Sequence, residues 1–162
     1  MVAYSYNKNY QYSIDTIDVL IDTKDSITYT FRQKSTKKND WQLELKILIG
    51  DTLRIIKEDK QDTGGEIYKY IDAKVMWFYN YDNRPYCVYR ILYTSGAMDS
   101  EGLLFWSPEF GIILGKSLAW KTFVRYEYLN GETKNEIVRH LCYLIINDKE
   151  FYNLPDWDKM LF

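Results

Sequence analysis

Between Trp41 and Ile49 the chain alternates with a period of two: Trp41, Leu43, Leu45, Ile47 and Ile49 against Gln42, Glu44 and Lys46. That period throws successive side chains to opposite faces of an extended backbone, so the segment is expected to be a strand with one apolar face. The same pattern recurs along the chain. Ile17, Val19 and Ile21 alternate before the turn at Asp22–Asp25, and Ile27, Tyr29 and Phe31 alternate after it. Leu53 and Ile55 mark a return strand beyond Gly50-Asp51, and further strands are expected at Glu66–Tyr70, Val75–Asn80 and Tyr86–Thr94. Turn chemistry lies between them, at Tyr81–Pro85 and at Gly96–Ser100. Strands at a spacing of about ten residues, with no helical period among them, predict an antiparallel meander.

The most apolar part of the chain is Leu103–Tyr128. Two runs, Leu103–Trp106 and Ile112–Leu114, flank Ser107-Pro108-Glu109-Phe110-Gly111. Proline presets φ at the second turn position and glycine tolerates positive φ at the exit, so a hairpin at the centre of the sheet is expected, with a last strand near Trp120–Tyr128. Gly111 and Gly115 flank the second run, and glycine within a strand marks a bulge or a tight bend.

One segment breaks the pattern. Thr133 and Glu136 have the spacing of a capping box, and Ile137, Leu141, Leu144 and Ile145 recur on one face of a helix expected over 134–147. The tail over 148–162 mixes acids with Phe151, Tyr152, Leu154, Trp157, Leu161 and Phe162, and a short helix is expected at Asp148–Asn153 before Pro155. The first residues, 1–13, read as an edge strand or a loosely ordered arm. With no linker or repeat, the expectation is one α+β domain over 1–162: an antiparallel, strongly bent sheet or open barrel of about eight strands (14–129), capped by a C-terminal helix (133–147).

Composition narrows the function classes. The net charge is −2, with both signs spread evenly. A nucleic-acid binder concentrates positive charge, and the single basic cluster, Arg32, Lys34, Lys37 and Lys38, falls in an expected loop. Cys87 and Cys142 are far apart in apolar surroundings and read as buried hydrophobes of a reducing compartment. No run has the length of a membrane-crossing helix and the start lacks a signal-peptide core, so a cytoplasmic protein that contacts no membrane is expected. His140 is the single histidine, one turn after Glu136. With two distant cysteines it cannot complete a zinc site, and any triad would have to use it. Asp62-Thr63-Gly64 spells the aspartic-protease triplet but follows a polar run rather than an apolar strand. Glu101, Glu109 and Asp99 bracket the central hairpin and read as turn or surface acids. No catalytic residue, metal ligand or cofactor is assigned.

In size, acidity and missing catalytic groups the chain is similar in general character to small acidic α+β immunity proteins, which neutralise bacterial toxins by binding them; no motif carries that similarity, so it transfers no residues. The first expectation is accordingly a non-enzymatic module that binds another protein, with basic surface on the partner as the complement, as in an immunity protein or inhibitor. Asp148, Glu150, Tyr152, Asp156, Trp157 and Asp158 are the candidate partner-binding residues, acids beside aromatics as in a hot spot with a charged rim. The bland account of the same residues is a tail that docks on the sheet. Two alternatives stand behind it: a carrier of a small apolar ligand in a barrel mouth, and an enzyme whose site is assembled from loops.

Overall fold

The alternating segments do pair as antiparallel strands. A computed structural model describes the backbone of residues 2–7, 10–22, 27–33, 41–48, 54–58, 67–78, 83–94, 101–120 and 122–154. It describes the side chains of Tyr6 and of residues 69–78, 83–94, 101–120 and 122–154. The packed body consists of β6 (Ile67–Trp77), β7 (Pro85–Thr94), β8 (Gly102–Ser107), β9 (Gly111–Ser117) and β10 (Thr122–Glu127), with α1 (Glu132–Asn147) and α2 (Lys149–Tyr152) on one face. These five strands form a simple meander, and this corrects the expected count of about eight. Beyond β10 the backbone ladder continues through β1 (Val2–Asn7) to β2 (Tyr10–Asp22), β3 (Ile27–Gln33), β4 (Trp41–Leu48) and β5 (Arg54–Glu58).

The sheet is not closed into a barrel. The order is β5-β4-β3-β2-β1-β10-β9-β8-β7-β6, and no ladder joins the two ends. The first residues are no loose arm: β1 lies inside the sheet, with Val2 opposite Glu127 on one side and Thr16 on the other. The first half of β2 pairs with β1 and its second half, from Ile17, pairs with β3. A strand that changes partner along its length is how a sheet turns a corner.

The central hairpin forms as its turn residues direct. Phe110 N–H donates to the Ser107 carbonyl at 3.2 Å, and Gly111 has φ 72°, in the left-handed region where glycine is unstrained. The register slips between Phe105 and Trp106, so Ile113 is an extra residue in β9, the bulge its flanking glycines suggest. At Gly102 the ring of Tyr93, directly opposite on β7, lies where a Cβ would stand.

Val88, Leu103, Phe105, Ile113 and Leu114 of the sheet pack against Ile137, Val138, Leu141, Cys142 and Ile145 of α1. The apolar stripe expected of this helix is the face that it buries, with Leu144 at its margin. Its start differs from expectation. The helix begins at Glu132 after Gly131, with no side-chain cap, so Thr133 is inside the first turn and makes no capping box. Asn135 supplies the tie instead: its amide group accepts from Tyr128 N–H at 2.7 Å and donates to the Tyr128 carbonyl at 2.9 Å. Two expected strands, Glu66–Tyr70 and Val75–Asn80, are one strand, β6, interrupted by a bulge between Tyr70 and Asp72. The last strand starts at Thr122, which leaves Trp120 exposed in the preceding loop.

Candidate functional site

Three cations on neighbouring strands hold the short helix that opens the tail. Arg90 of β7 is only 3% exposed, although a charged residue in a strand normally points to water. Its Nε donates to Asp72 Oδ1 at 2.8 Å. Its Nη1 donates to the carbonyls of Glu150 at 2.9 Å, Phe151 at 3.0 Å and Asn153. Lys116 of β9 donates to the Tyr152 carbonyl at 2.9 Å and to Asn153 Oδ1 at 2.7 Å, with its ammonium 4.0 Å from the centre of the Tyr152 ring. Lys74 of β6 pairs with Asp148. The carbonyls at the C-terminal end of α2 have no partner within the helix, and cations are favoured there. Arg90 and Lys116 satisfy both needs.

The sequence singled out this tail, and the structure shows what its described residues touch. Asp148 caps α2, accepting from Phe151 N–H at 3.1 Å, and the Lys74 ammonium with that backbone bond holds its carboxyl below the usual range. Tyr152 is half-buried on Phe105, with ring centres 6.2 Å apart, and burial pushes its phenol up. The Glu150 side chain is exposed. The structure thus gathers Asp148 and Tyr152 into the docking of α2 and leaves Glu150 at the surface. Asp156, Trp157 and Asp158 lie outside the described residues.

The remaining polar groups are structural ties. Glu127, 2% exposed, receives a two-pronged grip from Arg139 Nε at 3.0 Å and Nη2 at 2.8 Å, and Arg125 lies 2.7 Å away. Burial alone would raise its carboxyl, but the hydrogen bond from Arg139 and the two positive charges hold it below the usual range. Glu109 pairs with Arg84 at 3.0 Å on the surface. His140 does not depend on Glu136 for its place: its ring stacks on Phe78, with centres 4.0 Å apart. Cys142 is buried, its thiol pushed up to about 12 by burial and donating to the Ile113 carbonyl at 3.4 Å. Among the described residues no group of three His, Cys, Asp or Glu side chains could hold a metal ion. No described helix is long and apolar enough to cross a membrane. Asp62-Thr63-Gly64, Asp99 and the side chains of the basic cluster Arg32, Lys34, Lys37 and Lys38 lie outside the described side chains. An open groove over the turn from β10 to α1, lined by Tyr128, Leu129 and Lys134 among others, is a surface depression rather than a barrel mouth.

What sequence reasoning missed is on β6. Lys74 meets Asp148, Met76 enters the core and Phe78 stacks on His140, so these three side chains face α1. The stretch from Lys74 to Phe78 spans about 13 Å as strand, and His140 to Asp148 spans about 12 Å as helix. The helix therefore lies antiparallel along the edge strand. Ala73, Val75 and Trp77 must then face the other way. They are exposed, Val75 at 55% and Trp77 at 44%. Across the ladder they meet Tyr89, Cys87 and Pro85 respectively, and Tyr70 lies 6.1 Å from Tyr89 between ring centres. The patch contains no charged side chain. Alternation on β6 was the available signal, but the bulge at Ile71 interrupts it.

Comparison with protein-family models, with curated proteins and with solved structures returned no match to this chain.

Proposed function

We propose that the protein is a protein-binding module that receives its partner on the outer face of β6 and β7. The observation that carries this reading is the uncharged patch of Ala73, Val75 and Trp77 beside Pro85, Cys87 and Tyr89, on the face of an edge strand that α1 does not cover. Isolated exposed apolar residues are ordinary, but a contiguous set flanked by charge is characteristic of an interaction site. The charged flank is present in the pairs Arg90–Asp72 and Lys74–Asp148 on the other side of the same strand. Aromatic side chains at the centre with charge at the rim is the usual composition of a binding hot spot. A role as an inhibitor or immunity protein is the form of this function that we put first, because covering a partner needs a rigid surface and no chemistry of its own.

The experiment is capture by the tagged full chain from its native lysate, wild type beside Val75→Lys. Val75 is exposed, so a lysine there keeps its ammonium in water and leaves the melting temperature within a few degrees. A stoichiometric partner held by the wild type and lost by Val75→Lys supports the proposal. A partner held equally by both moves the binding surface elsewhere, and the exposed Glu150 of the tail would be the next place to look.

A further inference from the structure

We infer that β6 is also the self-pairing strand of a homodimer, joined antiparallel to β6 of a second copy about a twofold axis at Ala73. Among the described strands β6 is hydrogen-bonded to β7 alone, which leaves its other edge with backbone donors and acceptors facing outward. Proteins usually blunt such an edge with a short strand, a proline or charges on the exposed face. β6 has 11 residues and no proline, and the face turned from α1 carries Ala73 and Val75 where a guarding charge would stand.

The register follows from charge. Pairing centred on Ala73 sets Asp72 opposite Lys74 of the second copy and, by symmetry, Lys74 opposite the second copy's Asp72. Opposite charges directly across an antiparallel ladder are favourable and like charges are not. Centring one residue earlier would set Asp72 against Asp72, and one later Lys74 against Lys74. The side chains of Asp72 and Lys74 are both about half exposed, at 45% and 47%, so each has room for a second partner besides Arg90 and Asp148. The bulge helps the match. Against β7 it drops Ile71 from the ladder, so that Tyr70 and Asp72 face consecutive residues. Against a second β6 the same omission brings Tyr70 opposite Val75, an aromatic on a β-branched side chain, both exposed in the single chain. A twofold axis perpendicular to the sheet keeps like faces together. The two uncharged patches then merge into one platform twice as wide.

The test uses the full chain with Cys87→Ser as background, so that the native half-exposed thiol cannot cross-link. In the proposed pair the two Ala73 Cα atoms stand about 4.5–5.5 Å apart, a separation a disulfide spans. Ala73→Cys should therefore give an interchain disulfide under mild oxidation on the order of ten times faster than Val75→Cys, whose two copies lie several residues apart along the ladder. Sedimentation velocity of the wild type should show a dimer at micromolar concentration. A monomer at every concentration, with equal linking at both positions, overturns the inference. So does a dimer in which Val75→Cys links faster. The self-pairing uses the edge of β6 and the proposed partner site uses its face. Loss of capture with an intact dimer, and capture by a monomer, therefore tell the two readings apart.

Discussion

Glu127 shows at the residue scale how this protein tolerates buried charge. Its carboxylate lies between sheet and helix, where desolvation is costly, and it is kept ionised by two guanidinium groups. Its folded pKa is depressed, so the stabilisation it provides is complete above the ordinary carboxylate value of 4.5 and is lost as pH falls through the folded value. Asp148, depressed below 3.8 by Lys74, adds to the same acid limb. Chemical denaturation from pH 7 down to pH 3 should show stability falling below about pH 4.5. Glu127→Gln should cost about 2 kcal/mol at neutral pH, the usual worth of hydrogen bonds to a charged group, and should flatten that limb. An unchanged acid limb in Glu127→Gln would show that other carboxylates set it. Little of this was legible beforehand. Asp148 drew notice as a surface acid, yet its contacts are a helix cap and Lys74, and Lys74 stands on a distant strand. Arg90 drew none, because alternation says only which face it takes, and the carbonyls that it binds come from α2.

Elements were legible where their signals are local. The hairpin at Ser107–Gly111 rests on proline and glycine at fixed turn positions, and the apolar stripe of α1 on its own spacing. Boundaries set by tertiary contacts were not. Thr133 and Glu136 fit a capping box by spacing, but the helix starts at Glu132 and is tied to β10 by Asn135. β6 read as two strands because its bulge shifts the alternation by one residue. α2 is expected to depend on the cations beneath it more than on its own propensity, since four residues are too few to hold a helix in water. Arg90→Leu keeps an apolar side chain on Phe151 but removes every hydrogen bond to the carbonyls of α2. Trypsin should then cut after Lys149 much faster than in the wild type, while the melting temperature of the body falls modestly. Equal cleavage rates would mean that Lys116, Lys74 and the packing of Phe151 hold α2 without Arg90.

For the molecule as a whole, strand order is what no local pattern could supply. The two meanders, β2 to β5 and β6 to β10, are each readable from turns, whereas the strand that joins them, β1, pairs with a segment at the far end of the sheet. Deleting residues 2–7 would leave β10 and β2 each without a ladder partner. The shortened chain should lose its cooperative thermal transition or aggregate through the exposed edge of β10, as light scattering would show. A sharp, soluble melt would mean that β6 to β10 with α1 fold without their neighbour.

The pairing of Val2 with Glu127 also bears on how the chain is made. On the ribosome the β1–β2 hairpin emerges among the first residues, but the strand that completes its other side is not yet translated. Until then it presents a bare backbone edge to everything nearby, at a stage when most of the apolar core does not exist. Contacts this distant in sequence close slowly, and the interval is open to wrong pairings between neighbouring nascent chains. Yield in a cell should therefore depend on chaperones that shield early strands and on the pace of translation through the middle of the message, even where the finished protein is stable.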